Sequence, residues 1–213
     1  MGREFLDVFT GWAESYDSFV QGQDAEYKEV FRRYDEILDE IVKRSGENVL
    51  EFGIGTGNLT KLLMDSGKIV FPIEPSPEMR LIAAKKLGEN VVIHDGDLID
   101  FPKPTQQVDT IVSSYVFHHL TDDEKYEAIK IYHSLLPVNG KIIFADTMFL
   151  TEEAFQNEIS KADKANFIDL RDDLKREYYP LIPVIRSHFE KNGFSVSFQQ
   201  FNDFVWIVEA TKL

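Results

Sequence analysis

The stretch Glu51-Phe52-Gly53-Ile54-Gly55-Thr56-Gly57-Asn58 constrains this chain more than any other, because three alternating glycines separate two apolar runs. Glycine takes positive φ at little cost and lets a ligand come close to the backbone. Val49-Leu50-Glu51-Phe52 reads as a strand, and residues 59–64 read as the helix after the turn. The start of such a helix offers unpaired N–H groups to a carboxylate or phosphate. The turn therefore predicts a nucleotide-like ligand on an α/β fold, with a purely structural tight turn as the ordinary alternative.

The rest of the chain carries the same rhythm. Short apolar runs at 69–73, 91–93, 108–113 and 141–145 read as further strands. Between them, helices are expected over 77–87 and 122–136. Ser76 caps the first, with Pro77 in its opening turn, and Thr121 caps the second. Alternating strands and helices imply a parallel sheet covered on both faces. Residues 1–45 read as helical, with Phe5, Phe9 and Trp12, then Phe31, Tyr34, Leu38 and Ile41, at helical spacing. Residues 147–192 are acidic and aromatic, carry Pro180 and Pro183, and are expected as helices over the carboxyl ends of the strands. Runs at 194–199 and 205–211, joined through Asn202-Asp203, predict a closing hairpin.

Composition excludes several function classes. The formal net charge is −14, and no lysine and arginine stripe is present to neutralise a nucleic-acid backbone. Acidity by itself ordinarily means solubility; a pocket for a cationic or neutral substrate is the sharper reading. With no cysteine there is no disulfide, thiolate metal site or cysteine nucleophile, which suits a reducing compartment. The first residues show no apolar signal region, and Leu6 stands where myristoylation after Met1-Gly2 wants Ser or Thr. The expected partner is a small molecule, with no nucleic acid and no membrane, in the cytoplasm; oligomeric state is not legible.

Spacing sharpens the glycine turn. A dinucleotide fingerprint needs glycine at the sixth position, where this chain has Asn58. Glu74 then ends the second strand, about 20 residues on, where an acid can accept hydrogen bonds from both ribose hydroxyls. Asp97, in Gly96-Asp97-Leu98, follows the third strand and can accept from an adenine amino group. Taken with these acids, residues 48–147 resemble the class I S-adenosylmethionine (SAM) methyltransferases, whose first motif is E/D-x-G-x-G-x-G. Val108-Asp109-Thr110-Ile111-Val112-Ser113 resembles that superfamily's fourth-strand motif. Leu135-Leu136-Pro137-Val138-Asn139-Gly140-Lys141 resembles its turn into the fifth strand, with Asn139 replacing a common glycine in a left-handed position asparagine tolerates. Trp12-Ala13-Glu14-Ser15-Tyr16-Asp17 narrows the likeness to the uncharacterised bacterial YrrT-like methyltransferases.

The resemblance implies a Rossmann-like sheet of about seven strands, mostly parallel with the last antiparallel, helices on both faces and a helical cap. It implies one domain: N-terminal helical cap 1–45, cofactor-binding core 46–146, helical substrate-cap insertion 147–192 and C-terminal hairpin 193–213. SAM is the implied cosubstrate, with no metal. Gly53, together with Glu51, Gly55 and Gly57, would lie against its methionine part, Glu74 on the ribose, Asp97 and Leu98 on the adenine side, and Tyr16 with Asp17 over the cofactor.

Methyl transfer needs alignment of nucleophile, methyl and sulfur more than it needs acid or base, so the catalytic list is short. Candidates are His118 and His119 after the fourth strand, Asp146 at the end of the fifth, and Tyr16. Edge packing or capping is the ordinary fate of each. Adjacent histidines raise the question of metal, but on a strand end they are expected to point apart, without a suitably spaced carboxylate. Tyr178, Tyr179, His188 and Trp206 are candidate pocket walls or aromatic core. The Tyr126-x-x-x-Lys130 pattern with Ser113 upstream lacks a dehydrogenase's glycine turn, and Ser113-Ser114-Tyr115-Val116 lacks the prolines of nucleic-acid amino-methyltransferases. The competing functions are a non-catalytic binder of SAM or S-adenosylhomocysteine (SAH), and an NAD-dependent oxidoreductase.

Overall fold

A computed structural model describes residues 16–88 and 90–213, so the expectations on Phe5, Phe9 and Trp12 lie outside the described residues. A six-stranded sheet organises them: β1 (Asn48–Phe52), β2 (Ile69–Ile73), β3 (Thr110–Ser114), β4 (Lys141–Thr147), β5 (Phe194–Gln200) and β6 (Val205–Lys212), in the order β2-β1-β3-β4-β6-β5. The pairs β1–β2, β1–β3 and β3–β4 are parallel, and β6 runs antiparallel between β4 and β5. Strand order reverses at β1, which opens a crevice beyond the carboxyl ends of β1 and β3, where open α/β sheets bind ligands.

Alternation of side chains along each strand builds two cores. Val49, Val112, Ile143 and Ala145 face one side, where they meet Ile37, Leu38 and Ile41 of α1 (Tyr34–Arg44) and Leu59 and Leu63 of α2 (Asn58–Asp65). Leu50, Phe52, Ile111, Ile142 and Phe144 face the other. There they pack on Ala128, Ile129 and Tyr132 of α4 (Asp122–Leu135) and on Ile185 and Phe189 of α7 (Ile182–Lys191). Between α2 and α4 comes α3 (Pro77–Leu87), whose Met79 N–H donates to the Ser76 hydroxyl as the cap requires. Thr121 and Glu124 form a reciprocal capping box on α4. Asn139 adopts φ 64°, the left-handed geometry its place in the turn demands.

Three expectations are corrected. Residues 91–93 form no strand, leaving six strands where about seven were expected; a single bridge joins Ile73 to His94. Pro72 turns its carbonyl to the His94 N–H and has no N–H of its own to extend pairing on that side. The helical reading of 1–45 holds only for α1 among the described residues. Before it the chain makes one turn at Tyr16–Ser18, a π turn at Phe19–Gln23 with Gly22 at φ 77°, and irregular turns ending at Arg33, φ 68°. Finally, the helices of 147–192 divide: α5 (Glu152–Lys164) and α6 (Ile168–Arg176) belong with the first core, but α7 covers the opposite face.

Lys125 ties the segment after α6 to the head of α4. Its side chain is fully buried, and its ammonium donates to the carbonyl oxygens of Leu120 and Tyr178, the latter at 2.6 Å. Lys125→Met is expected to leave those acceptors unpaired and to lower unfolding free energy by about 1–3 kcal/mol in urea titrations.

Candidate active site

The glycine turn folds as its composition dictates. Gly53, Gly55 and Gly57 sit at φ 62°, 56° and 85°, and the N–H groups of Gly53 and Ile54 both donate to the Ile73 carbonyl. The turn is thus clamped to the end of β2. Glu74 completes the clamp: one carboxylate oxygen accepts from the Gly55 N–H and the other from the Ser76 N–H, each at 2.8 Å. From the other side Asp17 accepts from Thr56 Oγ1 at 2.6 Å and Asn58 Nδ2 at 3.1 Å, and pairs with Lys86 at 2.8 Å. Burial pushes the Asp17 carboxyl up, but the Lys86, Thr56 and Asn58 hydrogen bonds outweigh it and hold it below its ordinary value.

Two cavities open at this edge of the sheet. The first, ≈ 570 Å³ with its solvent-open mouth included, is walled by Gly53, Gly55, Glu74, Met79 and Tyr34 among others. The second, ≈ 690 Å³ on the same measure, is walled by Phe19, Tyr27, Phe31, Tyr179, His118 and Glu177 among others. Tyr16, Tyr115 and His119 line both, so they form the partition between the two.

Tyr115 is held there under strain. It follows β3 at φ 58°, which an aromatic residue rarely adopts. Its ring centroid lies 4.9 Å from Phe31 and 5.8 Å from Tyr34, and its hydroxyl is buried without a hydrogen-bond partner. Ser113 Oγ and Glu51 Oε2 are likewise buried and unpartnered. These three belong to the carboxyl-terminal parts of the adjacent strands β1 and β3 or the residue just beyond, while Thr60 Oγ1 on α2 and His188 Nδ1 on α7 are buried and unpartnered as well. Buried polar atoms without partners are costly.

The same burial perturbs the acids. It pushes the Glu51 carboxyl up to about 8, with the Glu74 charge adding to the effect, and raises Glu74 to about 7 against the Ser76 and Gly55 N–H groups. A carboxyl whose folded pKa exceeds its unfolded one binds extra protons when folded, so stability falls as pH rises through that window. Here the window runs from the ordinary 4.5 to about 8. Denaturation of the unliganded protein is expected to become easier from the acid to the alkaline side of this window. Glu51→Gln should flatten that slope; an unaltered slope would contradict the account.

The histidine pair depends on a 3₁₀ turn, Phe117–His119, that follows β3. Contrary to the expected divergence, the turn sets the two rings 4.2 Å apart, centroid to centroid, and gives each a carboxylate. His118 Nδ1 lies 2.6 Å from Asp146 Oδ1, and the His118 N–H donates to Asp146 Oδ2. His119 Nδ1 lies 3.0 Å from Glu177 Oε2. Burial pulls the His118 pKa down, but the charge and hydrogen bond of Asp146 raise it above the ordinary value. His119 moves the other way: burial and the His118 charge lower it despite Glu177. Ligand atoms of His118, His119 and Glu177 lie within 4.8 Å of one another, so the spacing objection to a metal does not hold.

The structure therefore brings Gly53, Gly55, Glu74 and Tyr16 to the first cavity, and His118, His119 and Tyr16 to the second. Asp146 stands behind His118, fully buried. Glu51, Gly57, Asp97 and Leu98 are not among the walls of the first cavity. Asp97 Oδ1 accepts from the Ile99 and Asp100 N–H groups and closes its own turn. Tyr179 walls the second cavity; Tyr178, His188 and Trp206 wall neither. Sequence reasoning missed Glu177, which stands alone in a charged run, and Tyr115, whose position directly after a strand end was the available signal.

Comparison with known proteins shows the family of the chain. The profile of a family described as a methyltransferase domain matches residues 49–140. Over 213 residues the chain is 56% identical to an uncharacterised methyltransferase of Oceanobacillus iheyensis, covering all of both. It is 55% identical over 212 residues to the uncharacterised methyltransferase YrrT of Bacillus subtilis, again covering all of both. The chain is a methyltransferase of this family. Among solved structures, magnesium protoporphyrin IX methyltransferase from Synechocystis PCC 6803 with bound SAH superposes with a TM-score of 0.73 at 20% identity, covering 97% of each chain. The DhpI–SAH complex gives 0.67 at 18%, over 97% of this chain and 95% of that one. At such identities the likeness of this methyltransferase to both is one of fold. No helix among its described residues is long and apolar enough to cross a membrane.

Proposed function

We propose that this methyltransferase moves a methyl group from SAM to a small-molecule acceptor by in-line displacement. The observation that carries this reading is the pair of cavities that share Tyr16, Tyr115 and His119. The first would hold the cosubstrate. A carboxylate offers about four acceptor positions, and Glu74 uses two on Gly55 and Ser76, which leaves capacity for a vicinal diol. The unpartnered Glu51 oxygen marks a polar position behind the glycine turn, and the missing side chain at Gly55, where a Cβ would meet nothing nearer than Tyr16 Cε1 at 4.0 Å, favours close approach of an amino-acid moiety. Asp97 and Leu98, at the turn after the β2-edge bridge, are assigned to the adenine end on the sequence resemblance. The proteins with bound SAH that share the fold support the same cosubstrate.

When bound, SAM supplies a methyl carbon on a sulfonium, whose departure as a neutral thioether needs no acid. The protein's part is alignment and exclusion of water; well-placed reactants gain roughly 7–11 kcal/mol from positioning. Tyr16, stapled through its neighbour Asp17 to Thr56 and Lys86, closes one side of the partition, and Tyr115 with Phe31 closes another. The chain would work as one domain, in the cytoplasm, without nucleic-acid or membrane partners. Incubation with methyl-deuterated SAM and a small-molecule extract tests the reading by mass spectrometry. Growth of a labelled methyl product together with SAH is expected. SAH binding with no labelled product would favour a non-catalytic binder, and binding of NAD alone would replace the reading with an oxidoreductase.

A further inference from the structure

We propose that His118, His119 and Glu177 form a binding site for a divalent transition metal ion of the zinc class, with one position open to the second cavity and Asp146 orienting one of the ligands. One ligand-type atom from each of the three residues lies within 4.8 Å of the other two, and all three residues line that cavity. Such a site reverses the expectation of no metal. It stands independently of what the first cavity holds.

Neighbouring groups set each ligand atom. His119 Nδ1 and Glu177 Oε2 are 3.0 Å apart. Two ligands bound to one ion at about 2.0–2.2 Å stand roughly 3–3.5 Å from each other, so this pair is already at ligating separation. Binding displaces the proton that the pair now shares and releases it to solvent. Glu177 Oε1 faces Arg176 at 3.6 Å, which leaves Oε2 for the ion. Asp146 Oδ1 occupies His118 Nδ1 at 2.6 Å, so the ion falls to the Nε2 of that ring. Asp146 Oδ2 also accepts from the His118 N–H, and Asp146 is fully buried, so one carboxylate fixes both ring and backbone. Metal-bound histidines ordinarily give their second nitrogen to such a partner. Ligation would draw the widest-spaced atoms inward by roughly 1 Å.

The surroundings suit a dication. Asp146, Glu177 and Asp173 bring negative charge to the histidines, against Lys125 and Arg176, and Arg176 is itself paired with Asp173. Two imidazoles and a carboxylate favour zinc or cobalt over magnesium and calcium, which take oxygen ligands. Three protein ligands leave a coordination position for water or for a donor atom of another molecule. Phe19, Tyr27, Phe31 and Tyr179 wall the same cavity, so a molecule held between those rings would present its oxygen or nitrogen to the ion.

The test uses the full chain stripped of metal with a chelator. Calorimetry with zinc chloride is expected to show one ion per chain. Affinity should fall at least about tenfold in Asp146→Asn, which keeps an oxygen for His118 but loses the charge. It should fall further in His119→Ala and Glu177→Ala, each of which deletes a ligand, and stay unchanged in His133→Gln, on α4 and outside the cluster. Thermal melts without metal show whether each variant folds, and cobalt(II) on wild type carries the test if the ligand variants do not. Cobalt is expected to give an intense visible band that saturates at one ion per chain and shifts when acetohydroxamate, a small oxygen-donor probe, takes the open position. Absence of zinc binding by wild type, or zinc binding that survives both His119→Ala and Glu177→Ala, would overturn the site and leave two ordinary histidine–carboxylate pairs. A cobalt band unmoved by acetohydroxamate would overturn its open position. SAH titrated in the same calorimeter reports on the SAM reading separately.

Discussion

Gly53→Ala is expected to destabilise the protein by about 2–5 kcal/mol, the sum of a left-handed backbone cost of roughly 1–2 and an overpacking cost of roughly 1–3. A Cβ at this position would stand 2.5 Å from Val116 Cγ2 and 2.7 Å from Cγ1, with φ fixed at +62° by the clamp to Ile73. The two causes are separable. Val116→Ala in the same chain removes the collision with the γ carbons but not the backbone cost, so it should recover the overpacking part alone. Urea denaturation of the single and double variants reads both. No loss of stability in Gly53→Ala, or no recovery in the double variant, would show that the turn is looser than described. Gly55 makes the contrast: its added Cβ would meet Tyr16 Cε1 only at 4.0 Å, so Gly55→Ala pays the backbone cost and projects into the first cavity.

Glu74→Ala is expected to weaken SAH binding by about 1–3 kcal/mol, roughly five- to 150-fold in Kd, because ribose hydroxyls lose a charged acceptor. The Gly55 and Ser76 N–H groups lose theirs at the same time, so the turn should loosen and the melting temperature fall modestly. Asp97→Asn provides the comparison. The amide keeps an oxygen for the Ile99 and Asp100 N–H groups, so its own turn should persist while the adenine-side acceptor loses its charge. Its expected loss is smaller than that of Glu74→Ala. Calorimetry with SAH measures all three proteins, and equal affinity in wild type and Glu74→Ala would remove Glu74 from the site.

What the sequence made legible is what local chemistry enforces. The glycine turn, the caps at Ser76 and Thr121, and Asn139 follow from backbone rules acting within a few residues. Continuous burial along β1 and β4 follows from both faces being covered. The strand expected at 91–93 failed because its fate lay with Pro72 on the neighbouring strand, which local apolar composition does not reveal. The site was legible where one strand end sufficed, as for Glu74. It was not legible for Glu177 and Tyr115, since the former meets His119 across 58 residues of chain and the latter gains its place from an unusual φ. The convergence of His118 and His119 was misread for the same reason: a strand end continued straight would splay them, and a 3₁₀ turn does not.

A crystal structure of the SAH complex measures the account most directly. The account predicts ribose hydroxyls on the Glu74 carboxylate, the amino-acid end over Gly53 and Gly55, and sulfur facing Tyr115 and His119. A ligand seated elsewhere, or one whose sulfur is shut off from the aromatic cavity by intact protein, would contradict it.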